Sequence, residues 1–181
     1  MSASLKPIWT VDEFLAWERL QEERYEFDGV QPIGMVGVSL RHSAIATALV
    51  EALRRRLRPP CRAFRGNVKV LTAPGRIRYP DAVVTCAEDL PQDSDVVPRP
   101  VVVFEVLSPS TAAFDRTVKA HEYAATDSIH AYVMLEQDRP AATVLRRSTG
   151  WQAEAVAGAE AILVLPEIGL AALPLAALAA G

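Results

Sequence analysis

The sequence predicts an α/β domain built on a mixed β-sheet. Three observations carry that reading. SLRHSAIATALVEALRRRLRPP is strongly periodic, VVVFEVL is almost wholly apolar, and helical and extended segments alternate along the chain. No internal repeat or low-complexity linker divides the 181 residues, so residues 1–181 are expected to form a single domain.

The first helix starts at Val11, in VDEFLAWERLQEE. Thr10 is placed to cap it, Glu13 is the capping-box partner, and Phe14, Leu15, Trp17 and Leu20 give it an apolar stripe. RYEFDGVQPIGMVG follows as two short extended pieces about an Asp28-Gly29 turn. In the long helix Ile45, Leu49, Leu53 and Leu57 recur at helical spacing, and Pro59-Pro60 stops it. NVKVLTAPGRIRYPDAVVT reads as a hairpin turning at Ala73-Pro74-Gly75, its second strand running from Ile77 to Thr85. The loop AEDLPQDSDVVPRP leads into VVVFEVL. Pro109 then blocks continuation, and Ser110 or Thr111 is placed to cap a helix reaching about Ala125. AYVMLE, ATVLRR and WQAEAV read as three more strands, the last two joined at Ser148-Thr149-Gly150. ILVLPEIGLAALPLAALAAG reads as a strand, a turn and a short terminal helix.

Composition narrows the class. Apolar residues at 50% and charged residues at 23% match an ordinary globular protein, not a disordered or fibrous one. A net charge of −3 gives no global reason to bind a polyanion, so any such binding has to come from a local patch. Cys61 and Cys86 have only each other to pair with, and neither a disulfide framework nor a metal-type Cys/His spacing is indicated. The first ten residues lack a signal-peptide stretch, and Pro166, Glu167 and Pro174 interrupt the apolar tail. The expectation is a cytoplasmic protein with no membrane partner.

The chemistry is concentrated in three places. In VVVFEVL the side chains of Val101, Val103, Glu105 and Leu107 share one face, and those of Val102, Phe104 and Val106 share the other. Both faces are apolar except at Glu105. That carboxyl group has to be neutral, paired with a cation or bound to a metal, because an unpaired buried carboxylate costs several kcal/mol. Asp81 poses the same problem at the head of an apolar strand. Asp115, Lys119 and Tyr123 are spaced i, i+4, i+8 along one helix face, which makes Lys119 the natural cation for Glu105. Two carboxylates beside a lysine are a set that holds a divalent cation and stabilises charge on a phosphoryl group.

RYPD, then FEVLSPST, then DRTVKAHEY resembles the PD-(D/E)XK nuclease superfamily. Within it the chain is most similar to the bacterial restriction-endonuclease-like branch called Uma-two, from the first helix to PEIGL near the end. The resemblance implies a restriction-endonuclease-like mixed β-sheet with an αβββαβ core flanked by helices. It implies a metal-dependent endonuclease hydrolysing phosphodiester bonds of nucleic acid, DNA first, with Mg2+ or Mn2+ and acting as a homodimer. Carried over by position, Asp81 and Glu105 are metal ligands, with the Val106 carbonyl as a further one. The superfamily's usual lysine position is Leu107 here, and the chain resembles members whose lysine has moved to the next helix, which points to Lys119 with Tyr123 one turn on. Glu26 matches the family's N-terminal glutamate, with one residue, Phe27, before Asp28-Gly29 where the family has two. His42 matches a histidine at the start of the long helix.

Blander readings stand beside these. Glu105 and Lys119 as a structural ion pair would touch and leave no cavity. A nuclease fold retained for binding or assembly would keep the site without useful turnover. Ser108, Ser110 and Thr111 have no placed His/Asp partner for nucleophilic work, and two carboxylates alone would also fit a glycosidase. Residues 52–80 contain no Asp or Glu and many arginines. Arg65, Lys69, Arg76 and Arg78, with His42, are therefore candidate nucleic-acid contacts, against a plain solvated face.

Overall fold

The computed structural model describes residues 9–178. Helix α1 (Val11–Glu18) carries the expected capping box: the Glu13 N–H donates to the Thr10 hydroxyl and the Thr10 N–H to the Glu13 carboxylate. It ends five residues early, and Leu20, expected in its apolar stripe, is left exposed. Strands β1 (Tyr25–Phe27) and β2 (Pro32–Gly34) pair antiparallel about the Asp28-Gly29 turn. There Asp28 Oδ1 accepts from the N–H groups of Val30 and Gln31, and Gly29 takes the positive φ of 92° that the turn requires.

Helix α2 (Leu40–Arg56) is capped by Ser39, whose hydroxyl accepts from the His42 N–H. Strands β3 (Arg62–Arg65), β4 (Val70–Thr72), β5 (Arg76–Arg78), β6 (Ala82–Thr85) and β7 (Pro100–Val106) follow. The crossover then runs through α3 (Ala112–Phe114), a π-helical turn at Asp115–Lys119 and α4 (Ala120–Ala125). Strands β8 (Ala131–Leu135), β9 (Ala141–Arg146), β10 (Ala153–Ala157), β11 (Ile162–Leu165) and β12 (Leu170–Pro174) complete the order.

The main sheet has the order β10-β9-β8-β7-β6-β3. Its neighbours are antiparallel except β7 and β8, which the helical crossover joins in parallel. The succession α2-β3-β6-β7-α4-β8 is the expected αβββαβ core, with β4 and β5 inserted into it. Those two strands join β1 and β2 in a second sheet of order β2-β1-β5-β4.

Both faces of the main sheet are covered, which is why its central strands are apolar on both sides. Ile45, Leu49 and Leu53 of α2 pack on Val84, Val102, Phe104 and Val106. Leu163, Leu165, Leu170 and Leu173 of the β11–β12 hairpin join the same core, so one face of the described part of the apolar tail is buried. Tyr123 of α4 packs with Val83, Val103, Tyr132 and Met134 on the other face. Among the described residues no helix is long and apolar enough to cross a membrane. Cys61 and Cys86 form a disulfide that joins the approach to β3 with the end of β6.

Three expectations change. The strand from Ile77 to Thr85 is two strands, β5 and β6, in different sheets. Pro80 has no N–H to give to a ladder, and the chain passes from one sheet to the other at Tyr79-Pro80-Asp81. Neither Ser110 nor Thr111 caps the crossover helix. Instead the Ser108 hydroxyl accepts from the Thr111 N–H and bonds both neighbouring hydroxyls. The segment after β12 is a 3-10 turn, Leu175–Leu178, as far as the described residues extend.

Arg78 ties the small sheet to α4. Its guanidinium makes two 2.7 Å bonds to Glu122 and one of 3.2 Å to Glu26, with Arg78 and Glu122 each 1% exposed. Replacing Arg78 with Ala leaves the Glu122 carboxylate buried with only Arg76 near it, 3.4 Å away. Urea unfolding is expected to show a loss of about 3–5 kcal/mol. Arg78→Lys is expected to recover only part of it, since an ammonium cannot reproduce the two-pronged bond.

Candidate active site

Three elements converge at the end of β7. The bend at Tyr79-Pro80-Asp81 frees Asp81 from both ladders, and its side chain is held from two sides. Oδ2 accepts the Val106 N–H at 2.7 Å, and Oδ1 lies 2.7 Å from His42 Nε2. Gln137 Nε2 donates to the Leu107 carbonyl at 2.7 Å and lies 3.4 Å from His42 Nδ1. With Nδ1 accepting, Nε2 is the ring nitrogen that donates to Asp81. The Gly66 N–H donates to the Asp81 carbonyl at 2.9 Å. A Cβ at Gly66 would stand 3.2 Å from the Pro80 carbonyl oxygen, so glycine is what lets this bend approach so closely.

Glu105 is buried at 4% exposure, and its Oε1 accepts from Lys119 Nζ at 2.8 Å and from the Tyr123 hydroxyl at 3.2 Å. Lys119 also lies 3.2 Å from Asp115 Oδ1 and 3.6 Å from Glu26 Oε1. The π-helical turn sets this up. The Ala120 N–H reaches the Asp115 carbonyl five residues back, which widens the turn carrying both Asp115 and Lys119. The Tyr132 hydroxyl donates to that same carbonyl at 3.2 Å. Asp115 Oδ1 is buried and, although close to the ammonium, has no hydrogen-bond partner of adequate geometry.

The Glu105 carboxyl is pushed up to about 8: burial raises it most, Lys119 works the other way, and Asp81 and Asp115 add to the rise. Burial works against the Lys119 ammonium, but Glu105, Glu26 and Asp115 outweigh it and hold its pKa above the usual lysine value. Burial first, then the Glu105 charge, keeps the Tyr123 phenol neutral and a donor.

These groups line a cleft of about 820 Å3. Its lining includes six carboxylates, Glu26, Asp28, Asp81, Glu105, Asp115 and Glu122, against three permanent cations, Arg76, Arg78 and Lys119. Exposed Met35, Val36, Val38, Phe114 and Val118 form an apolar rim. The ion pair and a cavity therefore coexist. The donor set suits a hard divalent cation: excess carboxylate and an unsatisfied buried oxygen. Among the described residues no three His, Cys, Asp or Glu side chains form a ready metal cage. A Mg2+-like ion would therefore take one or two carboxylates here and complete its shell from water and a substrate phosphate.

A family model, Uma2, described as "Putative restriction endonuclease", matches residues 11–176. The chain belongs to the Uma2 family. The uncharacterized protein slr1290 of Synechocystis sp. is 30% identical over 131 residues, 71% of this chain and 69% of that protein. A crystal structure from Anabaena variabilis, described as "a putative nuclease belonging to DUF820", aligns with a TM-score of 0.75 at 21% identity. That alignment covers 94% of this chain and 97% of the other. At that identity the likeness establishes a shared fold.

Within this Uma2 fold the residues singled out from the sequence fall into two groups. Asp81, Glu105, Val106, Lys119, Glu26 and His42 line the one cleft, and Tyr123 bonds Glu105 from beneath it. Glu26 has one oxygen on the Tyr79 N–H at 3.1 Å and the other on Arg78 at 3.2 Å. Arg76 lines the cleft, but its Nε donates to the Asp28 carbonyl at 2.9 Å and faces Glu122. Arg65 is exposed.

Lys69 and Arg78 do not belong to a nucleic-acid surface. Lys69 is 2% exposed, pairs with Glu18 at 2.8 Å and bonds Asp95, while Arg78 is enclosed by Glu122 and Glu26. A charge buried this deeply is held by its partners and is not offered to a ligand.

Sequence reading missed Gln137 and Glu122. The first stands just past the end of β8, the strand parallel to β7, and the second lies one helical turn beyond Lys119. A polar residue at the end of a buried strand, or beside a buried lysine on a helix, is the available signal.

The raised Glu105 carboxyl has a definite consequence. Between its ordinary value near 4.5 and about 8 the folded protein holds a proton that the unfolded chain has released. Its stabilising contribution is complete below the lower value and is lost as pH rises towards the upper one. Without divalent cations, thermal unfolding followed from pH 5 to 9 is expected to show stability falling across that window. Glu105→Gln should flatten the fall.

Proposed function

We propose that this Uma2-family chain is a divalent-cation-dependent endonuclease that hydrolyses phosphodiester bonds, with DNA as substrate and Mg2+ or Mn2+ as cofactor. The observation that carries this reading is the excess of carboxylates around the Glu105–Lys119 pair in an open cleft. A purely structural network would be expected to neutralise itself and close.

Asp81, Glu105 and the Val106 carbonyl would hold the cation. When bound, the cation makes a nucleophile of water at neutral pH and offsets charge on the phosphoryl oxygens. His42 and the Val106 N–H fix the orientation of Asp81, and Gln137 fixes His42. Lys119 stays an ammonium and so has no lone pair with which to take a proton. It donates instead, holding Glu105 in place and polarising the attacking water or a phosphoryl oxygen as negative charge grows there. Tyr123 supports Glu105 from below. Glu26 acts through Lys119 and Arg78, which lie 3.6 and 3.2 Å from its carboxylate. In the reaction a water oxygen bonds to phosphorus, one ester P–O bond breaks, and a phosphomonoester and a free hydroxyl result.

One observation favours a second reading, a nuclease fold kept for binding. Both Asp81 oxygens and Glu105 Oε1 already accept hydrogen bonds, so a cation has to compete with them. Calorimetric titration of Mg2+ and Mn2+, with plasmid nicking on the same samples, separates the two. Asp81→Ala and Glu105→Ala are expected to lose both metal binding and nicking. Lys119→Ala should keep metal binding and lose nicking by at least about 100-fold. A wild-type chain that binds the metals and cuts no nucleic acid would establish the second reading. One that binds no metal removes the mechanism.

A further inference from the structure

We infer that an anion-binding surface runs along the edge of the main sheet formed by β3 and the end of α2, and that it carries the sugar-phosphate backbone of the nucleic acid. The identity of the polyanion rests on the function proposed above; the surface itself rests on independent geometry. The cleft cannot supply backbone affinity, because each of its three permanent cations is already matched by carboxylates. The residues outside it have the opposite character. Arg54, Arg58, Arg62 and Arg65 are all exposed, and none has a carboxylate partner among the described residues.

Their directions are fixed by the backbone. Arg54 Nε donates to the Ala63 carbonyl at 3.2 Å, which draws its side chain over β3. Ala63 is buried beneath α2, so Arg65, two residues on, emerges on the same face, and its guanidinium lies 3.5 Å from the Thr47 hydroxyl of α2. In the ladder with β6, Arg65 stands opposite Ala82 and Arg62 opposite Thr85. The set thus starts beside Asp81 and leads away from it. Arg62, three residues from Arg65 on this edge strand, projects from the opposite face about 10 Å away at the usual strand rise, so the arginines border the sheet edge from both sides. Arg58 lies exposed just past the end of α2. At the far end Arg54 and Arg62 line a cavity of about 520 Å3 with apolar walls that include Phe64, Leu90 and Val97.

The test is fluorescence anisotropy of a labelled DNA duplex with the full chain, without divalent cations so that nothing is cut, over a series of salt concentrations. Changing Arg54, Arg58, Arg62 and Arg65 together to Ala is expected to weaken binding at least about tenfold, by a similar factor for unrelated sequences. The slope of log affinity against log salt should fall by about 3 to 4, close to one per lost phosphate contact. The matching Arg→Lys set should keep most of the slope, which separates charge from packing. Calorimetric Mg2+ titration of the Ala set reports whether the cleft is intact. Weakened binding in a chain that cuts nothing supports this surface while the nuclease reading fails. Unchanged affinity and slope in a chain that does cut DNA overturns this surface and leaves that reading standing; the arginines would then serve only the helix end and the sheet edge. A wild-type chain that binds no nucleic acid at low salt also overturns it.

Discussion

The packing around the crossover depends on one constraint, the burial of the Glu105 carboxyl inside β7. A carboxyl there is tolerable only when it is protonated or in direct contact with a cation, and Lys119 of the crossover supplies the contact. The ammonium is then itself buried and needs more than one carboxylate around it, which Asp115 and Glu26 provide. Glu26 belongs to the small sheet and also binds Arg78, and Arg78 binds Glu122 on the same crossover. The ring of charge runs from the main sheet to the helix, on to the small sheet and back to the helix. Such rings contribute modestly to net stability, because desolvation opposes their attraction. Their effect here is to fix which face of the crossover meets β7 and where the small sheet sits.

Asp81 reaches the same place by a different route. It lies at the seam where the chain leaves one sheet and enters the other, so its backbone belongs to neither ladder. Pro80 makes that seam, and Gly66 lets the neighbouring strand approach it closely. The side chain is aimed at the end of β7 by the Val106 N–H and by a histidine from the first turn of α2. Rigid elements therefore hold both carboxylates, while the apolar rim on the β2–α2 connection and α3 stays exposed.

The readable parts of the sequence were those where one residue's environment is set by its neighbours in the chain. The helical period of α2, the capping box of α1, the turn at Asp28-Gly29 and the odd carboxylate in an apolar strand are all local signals, and an α/β domain with a mixed sheet followed from them; the αβββαβ order came from the family resemblance. The parts that could not be read depend on distant partners. Lys69 and Arg78 look like surface cations in a basic stretch, but Glu18, Asp95 and Glu122 come from 26 to 51 residues away to enclose them. Three adjacent hydroxyls left the cap ambiguous, and the structure selects Ser108. The site gathered most of the expected residues, because a buried acid and a helical lysine 14 residues apart constrain each other strongly. Gln137 and Glu122 carried no such local mark.

The widened helical turn at Asp115–Lys119 gives this segment an unusual mutational grammar. It is the structural form of a one-residue insertion, accommodated without breaking the helix. Removing a single residue within it would restore ordinary helical winding and rotate the two flanks relative to each other by about 100°. Lys119 and Asp115 would then no longer serve the same buried acid. Sequence drift at the exposed positions Arg116 and Thr117 is cheap by comparison, so descendants of this chain are free to vary in letters there but not in length.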